Sequence, residues 1–194
     1  MIYQFKNFIP VIDPSSFVHP LAAVTGNIEI GKQVYIGPFA ALRGDFGKIV
    51  ISDGCNIQES CVLHTFPGAT CILHENAHMG HGSIVHGATI GKNCLIGMNA
   101  VIMDEAIIED ECIIGALSFI KQRGHFKQRS LIVGNPAKKI RDVSDEMISW
   151  KSDGTKLYQQ LAADMLQHWK PAEPLLQKAR QADQAKGYKP WKKN

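Results

Sequence analysis

At 194 residues the chain has room for one domain and a modest appendage. Its 21 Lys and Arg against 18 Asp and Glu leave a net charge of only +3, too little to argue for nucleic acid or a membrane surface as partner. No segment approaches the roughly 18 continuous apolar residues that span a bilayer, and Met1-Ile2-Tyr3-Gln4-Phe5 lacks the regions of a secretion signal, so a cytoplasmic protein is expected.

From Val18 onward an aliphatic residue returns every sixth position: Val18, Val24, Ile30, Ile36 and Leu42, then Ile51, Ile57 and Leu63, then Ile84, Ile90, Ile96, Ile102, Ile108, Ile114 and Ile120. Six is too short for a helical repeat and misses the helix period; it suits extended segments that turn a corner each hexad and bury their apolar face only by stacking. Four residues after the anchors comes a mostly small column (Ala22, Ile28, Val34, Ala40, Cys55, Cys61, Ala88, Cys94, Ala100, Ala106, Cys112, Ser118), as a narrow interior requires. Glycines that follow anchors (Gly31, Gly37, Gly91, Gly97, Gly115) are expected to serve the corners. The column cysteines read as small buried hydrophobes, not ligands or disulfide partners; Cys71 lies outside the column and receives no role. This pattern resembles the left-handed hexapeptide β-helix superfamily, whose cross-section is a triangular prism with three hexads per turn. The expected fold is therefore an all-β solenoid, a left-handed parallel β-helix over residues 1–143, with a helical segment and polar tail over 144–194.

The period slips twice, from Leu42 to Ile51 and from Leu63 to Ile72, each time by three extra residues that read as a small loop extruded at a corner. With three faces per turn, Leu42, Leu63 and Ile84 begin segments on one face, Y; Ile57 and His78 lie on X; Ile51 and Ile72 lie on Z. His64 and His86 then share face Y on successive rungs about 4.8 Å apart, whereas His81 sits on X, round a corner and above Gln58. Side chains on adjacent faces diverge, so the register predicts a homotrimer in which His64 and His86 of one chain meet His81 of the next. Three neutral imidazoles with an open fourth position form the ligand set of a catalytic zinc site. His78 occupies an anchor position and reads as half-buried packing; His19, His74, His125 and His168 read as surface or core fillers.

After Ile120 the period stops. Ser144-Asp145-Glu146 resembles a helix start, with a capping hydroxyl and first-turn acids. Ile148, Trp150, Leu157, Leu161, Ala162, Met165 and Leu166 then follow with helical spacing, broken only at Gly154, and read as one long helix, straight or kinked, packed along the prism. The Lys-rich end from Gln177 reads as a frayed tail.

Arg43-Gly44-Asp45, Asn56-Ile57-Gln58, Leu63-His64-Thr65 and Met79-Gly80-His81-Gly82-Ser83-Ile84-Val85-His86-Gly87 resemble, in order, the signature of the γ-class carbonic anhydrase family. Gly134-Asn135-Pro136-Ala137, Trp150-Lys151, Gly154-Thr155, Tyr158-Gln159 and Pro174-Leu175 look most like its phenylacetate-degradation (PaaY) and carnitine-operon (CaiE) subgroup. That resemblance implies His64, His81 and His86 as ligands of Zn2+, with Fe2+ or Co2+ as substitutes. It implies Gln58 as hydrogen-bond partner of a metal-bound hydroxide, Asn56 as its orienting residue, Tyr158 over the site, and Arg43 with Asp45 as a subunit-interface ion pair. The loop Thr65-Phe66-Pro67-Gly68-Ala69-Thr70 departs from the archetype by lacking an acidic proton shuttle. The expected activity is zinc-dependent hydration of CO2, with acyl-CoA thioester hydrolysis as the alternative. CoA-dependent acyl transfer and a non-catalytic trimeric accessory role stand behind these.

Overall fold

A computed structural model of the chain describes residues 1–177 and Trp191; the expected frayed tail otherwise lies outside them. The aliphatic rows stack into a parallel β-helix of the left-handed hexapeptide class. Face X carries Phe17–Val18, Tyr35–Ile36, Asn56–Ile57, His78–Met79, Leu95–Ile96, Ile113–Ile114 and Ser130–Gly134, closed by the antiparallel strand Ala137–Asp142. Faces Y and Z are joined through the long strand Ala41–Ile51, which passes from one to the other at the first extruded corner. The counted faces hold: His86 pairs directly with His64, and His78 with Asn56.

Both interior columns are sealed. Leu42, Ile57, Leu63, Ile96 and Ile102 have no exposed surface, and neither do Ala40, Cys61, Cys94, Ala100 and Cys112. Corners fall on the third residue after each inward anchor. Gln33, Phe39, Ser60, Asn76, Asn93, Asn99, Glu105, Glu111, Leu117, Arg123 and Arg129 all take a left-handed backbone there, with φ between 53° and 62°. The glycines that directly follow anchors are thus not the corner residues. Their reason is close approach: a Cβ on Gly37 would come within 3.0 Å of the Glu59 amide nitrogen, and one on Gly91 within 2.6 Å of that of Asp110.

The second slip differs from the first. Leu73, Met79 and Val85 are fully buried, while the expected anchors Ile72, His78 and Ile84 face partly outward. The inward row steps from Leu63 to Leu73, one residue more than counted, and regains it between Val85 and Ile90, where Gly87 turns a tighter corner at φ 56°. Cys71 is consequently inside, without exposed surface. The solenoid also continues past Ile120, through His125–Phe126 and Ser130–Gly134.

Helix α1 (Asp145–His168) begins at Ser144, whose side chain accepts a hydrogen bond from the Met147 amide at 3.3 Å. It runs unbroken through Gly154, which is buried, as the one long helix expected. The helix lies along face X. Phe17, Tyr35 and Ala162 form one apolar seat with Tyr158, Leu161 and Met165, and Ile113, Val143 and Met147 form another. Between them Lys151, 2 % exposed, donates to Asn76 O and to Asn93 Oδ1 (2.7 Å). Gln159 donates to Gly54 O (3.2 Å) and Asn76 Oδ1 (2.9 Å), so helix side chains grip one row of prism corners. No helix among the described residues is long and apolar enough to cross a membrane.

Burial lowers the Lys151 ammonium from 10.5 to about 8. The unfolded chain binds that proton more tightly, so the burial penalty is full below pH 8 and is relieved as pH climbs towards 10.5. The melting temperature of the wild type relative to Lys151→Met is therefore expected to rise across that interval; a flat or falling difference in paired thermal scans would contradict the buried charge.

Candidate active site

The site residues divide between two corners of the prism. At the first, strand Ala41–Ile51 carries Arg43 and Asp45 out beside His64. Arg43 donates from Nε (3.2 Å) and Nη2 (3.1 Å) to Asp45 Oδ2. Asp45 Oδ1 lies 3.0 Å from His64 Nε2 and accepts from the Phe46 amide at 3.0 Å, while Arg43 Nη2 lies 3.3 Å from the same histidine nitrogen. Partial burial works against the Asp45 charge, but the bonds from His64 and Arg43 and the guanidinium charge outweigh it and hold the carboxyl below its ordinary value. The expected pair Arg43–Asp45 is thus formed within one chain, with Asp45 also serving His64.

One rung on, His64 Nδ1 and His86 Nε2 face each other at 3.0 Å. His86 Nδ1 lies 2.5 Å from Asp104 Oδ1. Both rear nitrogens therefore sit on carboxylates, which assigns them the protons in the neutral rings and leaves two lone pairs converging in front. Converging lone pairs require a positive centre between them, a shared proton or a metal cation, and a carboxylate behind each imidazole is the usual support of a metal-bound histidine. The donor set fits half of a zinc site. Phe46 and Phe66, both more than half exposed, close on His64 and His86 with ring centroids at 5.5 and 5.0 Å. A cavity of about 250 Å³ opens beside Asp45 between the two extruded loops, with Phe8, Asn27, Lys48 and Thr70 on its wall.

The second group lies on face X. Gln58 is 3 % exposed and Asn56 fully buried. The Gln58 amide nitrogen contacts Asn56 Oδ1 at 3.3 Å and His78 Nε2 at 2.6 Å. Burial first, then the charges of Lys151 and His81, push His78 down to about 3, so it stays neutral as packing. Tyr158 meets His78 edge to face (ring centroids 5.3 Å) and Tyr35 at a tilt (5.5 Å). His81 stands apart from the other two histidines, its Nδ1 2.5 Å from Glu59 Oε2. Glu59, not Gln58, lies beneath it: Met79 pairs with Ile57, so Gln58 falls under Gly80 and Glu59 under His81. Among the described residues, no group of three or more His, Cys, Asp or Glu in the chain is gathered so as to hold a metal ion.

Three residues escaped the sequence reading: Glu59 behind His81, Asp104 behind His86, and Tyr35, whose hydroxyl donates to Glu59 Oε1 at 3.2 Å. The signal for Glu59 was present. It follows Ile57 by two, as His81 follows Met79 by two.

The bacterial transferase hexapeptide (six repeats) family matches residues 87–122. The chain is 43 % identical over 175 residues to the carnitine operon protein CaiE of Escherichia coli O157:H7, covering 90 % of this chain and 89 % of that one. It is 43 % identical over 185 residues to CaiE of Salmonella typhimurium, covering 95 % and 93 %. Among solved structures, a Bacillus cereus protein provisionally named an acetyltransferase superposes with TM-score 0.82 at 32 % identity, over 84 % of this chain and 94 % of that one. A hexapeptide transferase family protein of Anaplasma phagocytophilum superposes with TM-score 0.80 at 30 % identity, over 83 % and 95 %.

These findings overturn the expected zinc-dependent carbonic anhydrase, and with it the lyase or hydrolase class, including the thioesterase alternative. Transferases, not anhydrases, are what the family and the similar structures are named for. The physical reason lies in where the histidines stand within the chain: His64 and His86 meet at one corner, while His81 faces Glu59 on face X.

Asp104 is 5 % exposed and is His86's acceptor. Asp104→Ala is expected to cost roughly 1–3 kcal/mol by leaving that imidazole N–H unpaired. Urea unfolding midpoints check this, and an unchanged midpoint would show that the pair contributes nothing.

Proposed function

We propose an acyl-transfer function from the chain's family: it belongs to the bacterial hexapeptide-repeat transferases, in the subgroup of the carnitine operon protein CaiE. The acyl donor is a thioester of the coenzyme A type, and the acceptor is an amine or alcohol. The observation that carries this reading is the Glu59–His81 pair. Glu59 Oε2 stands 2.5 Å from Nδ1 as an ion-pair contact, which leaves Nε2 as the nitrogen available to an acceptor on a half-exposed ring. Nε2 takes the acceptor's proton as its nitrogen or oxygen attacks the thioester carbonyl, then returns it to the departing thiolate. The acceptor gains the acyl group, the donor leaves as a thiol, and no redox partner is needed. A cytoplasmic setting, with reduced thiols and a coenzyme A pool, suits both the donor and the free buried cysteines.

Thiol release from acetyl-coenzyme A, measured with a panel of amines and alcohols, tests the reading. Acceptor-dependent release that falls about 10²–10⁴-fold in His81→Ala is expected. Release that ignores the acceptor, or survives that substitution, contradicts it. No turnover at all in the wild type would favour a non-catalytic accessory role.

A second reading rests on the converging pair His64 Nδ1 and His86 Nε2. The two histidines would hold a divalent ion, Zn2+ with Fe2+ or Co2+ as substitutes, completed by His81 of a neighbouring chain in a homotrimer. Such an ion would supply Lewis acidity at a carbonyl oxygen. In that reading His81 is a ligand and not a base. Near one zinc per chain in purified protein, lost in His64→Ala, in His86→Ala and in His81→Ala alike, would support it. A metal-free, fully active trimer would leave His81 as the base.

A further inference from the structure

We propose that Tyr35 is a positioning residue for His81, acting through Glu59, and that it couples the seat of helix α1 to the site; this rests on the acyl-transfer reading above. The Glu59 side chain is 37 % exposed, and such a side chain samples several rotamers unless something holds it. One hydrogen bond and one ion-pair contact hold it here: the Tyr35 hydroxyl donates to Oε1 at 3.2 Å, and the buried Oε2 stands 2.5 Å from His81 Nδ1.

Tyr35 itself has almost no freedom. It is 3 % exposed, stacked on Phe17 (centroids 6.0 Å, planes 19° apart) and tilted against Tyr158 of α1 at 5.5 Å. Its ring belongs to the apolar seat that Ala162, Leu161 and Met165 complete from the helix. Burial and the Glu59 carboxylate both keep the phenol protonated, so it serves as a fixed donor. The path runs from the helix seat to Tyr35, from its hydroxyl to Glu59, and from Glu59 to the tautomer and orientation of His81. A rigid tyrosine is what holds a partly exposed glutamate as a fixed carboxylate beside His81.

Tyr35→Phe removes only the hydroxyl and keeps the ring contacts. Steady-state transfer from acetyl-coenzyme A is compared in wild type, Tyr35→Phe, Glu59→Gln and the double variant. Alongside, long-range 15N spectra report the His81 tautomer in chelator-treated protein, with His81→Ala for assignment. Tyr35→Phe is expected to lower kcat about tenfold with KM within twofold, and the double variant to be no worse than Glu59→Gln alone. The His81 signal moves from a single Nδ1–H tautomer to a mixture. A His81 tautomer unchanged in Tyr35→Phe, or kcat losses that multiply in the double variant, overturns the proposal. If wild type transfers no acyl group, the acyl-transfer reading fails, and the tautomer spectra still decide whether Tyr35 positions His81.

Discussion

Stacking of one aliphatic row on the next, at about 4.8 Å per rung, constrains everything else in this molecule. Each inward Leu or Ile that loses all its exposed surface gains roughly 1.5–3 kcal/mol, whereas an exposed charge pair on the outside is worth about 0–1 kcal/mol. Where the two compete, the core sets the register and the polar residues take the partners it hands them. Leu63 and Val85 lie inward on neighbouring rungs, so His64 and His86 must lie side by side outward. Met79 lies above Ile57, so His81 lands on Glu59.

The same constraint supplies a carboxylate to each histidine of the site from a neighbouring coil or the adjoining corner: Asp45 for His64, Asp104 for His86, Glu59 for His81. A carboxylate behind an imidazole fixes which nitrogen carries the proton and where the free lone pair points. Two of those lone pairs meet each other, and the third points away alone. Among the described residues no carboxylate pairs with His78; it lies half-buried against Tyr158, is held near 3, and serves as packing. One repeat therefore yields both a site histidine and a filler, distinguished by what lies next to each.

Most of the fold was legible because its signal is additive: a missed anchor changes little when a dozen others repeat it. The solenoid, the inward cysteines and the shared face of His64 and His86 all came from that redundancy, and the Ser144 cap from its own local signal of a hydroxyl followed by two acids. What failed rested on single residues. The slip after Leu63 is one residue longer than counted, and it is compensated only at Gly87, where two apolar neighbours, Ile84 and Val85, compete for the inward position. Missing that single step sets Ser60 beneath His81 in the counted register, where the structure has Glu59. The reaction class failed for a different reason. A histidine motif reports which side chains are present, while the chemistry depends on what each faces, and within the chain His81 faces Glu59 and not the His64–His86 pair.

The proposed trimer gathers the first-corner pair and the lone His81 across a chain boundary, because adjacent faces of one prism diverge. Subunit complementation tests this most directly: His81→Ala and His86→Ala chains are unfolded, mixed in equal amounts and reassembled, and acceptor-dependent thiol release is measured. If both histidines serve one site shared between chains, the mixture recovers about a quarter of wild-type activity, although neither variant is active alone. Recovery no greater than the sum of the separate variants would contradict a site built from two chains.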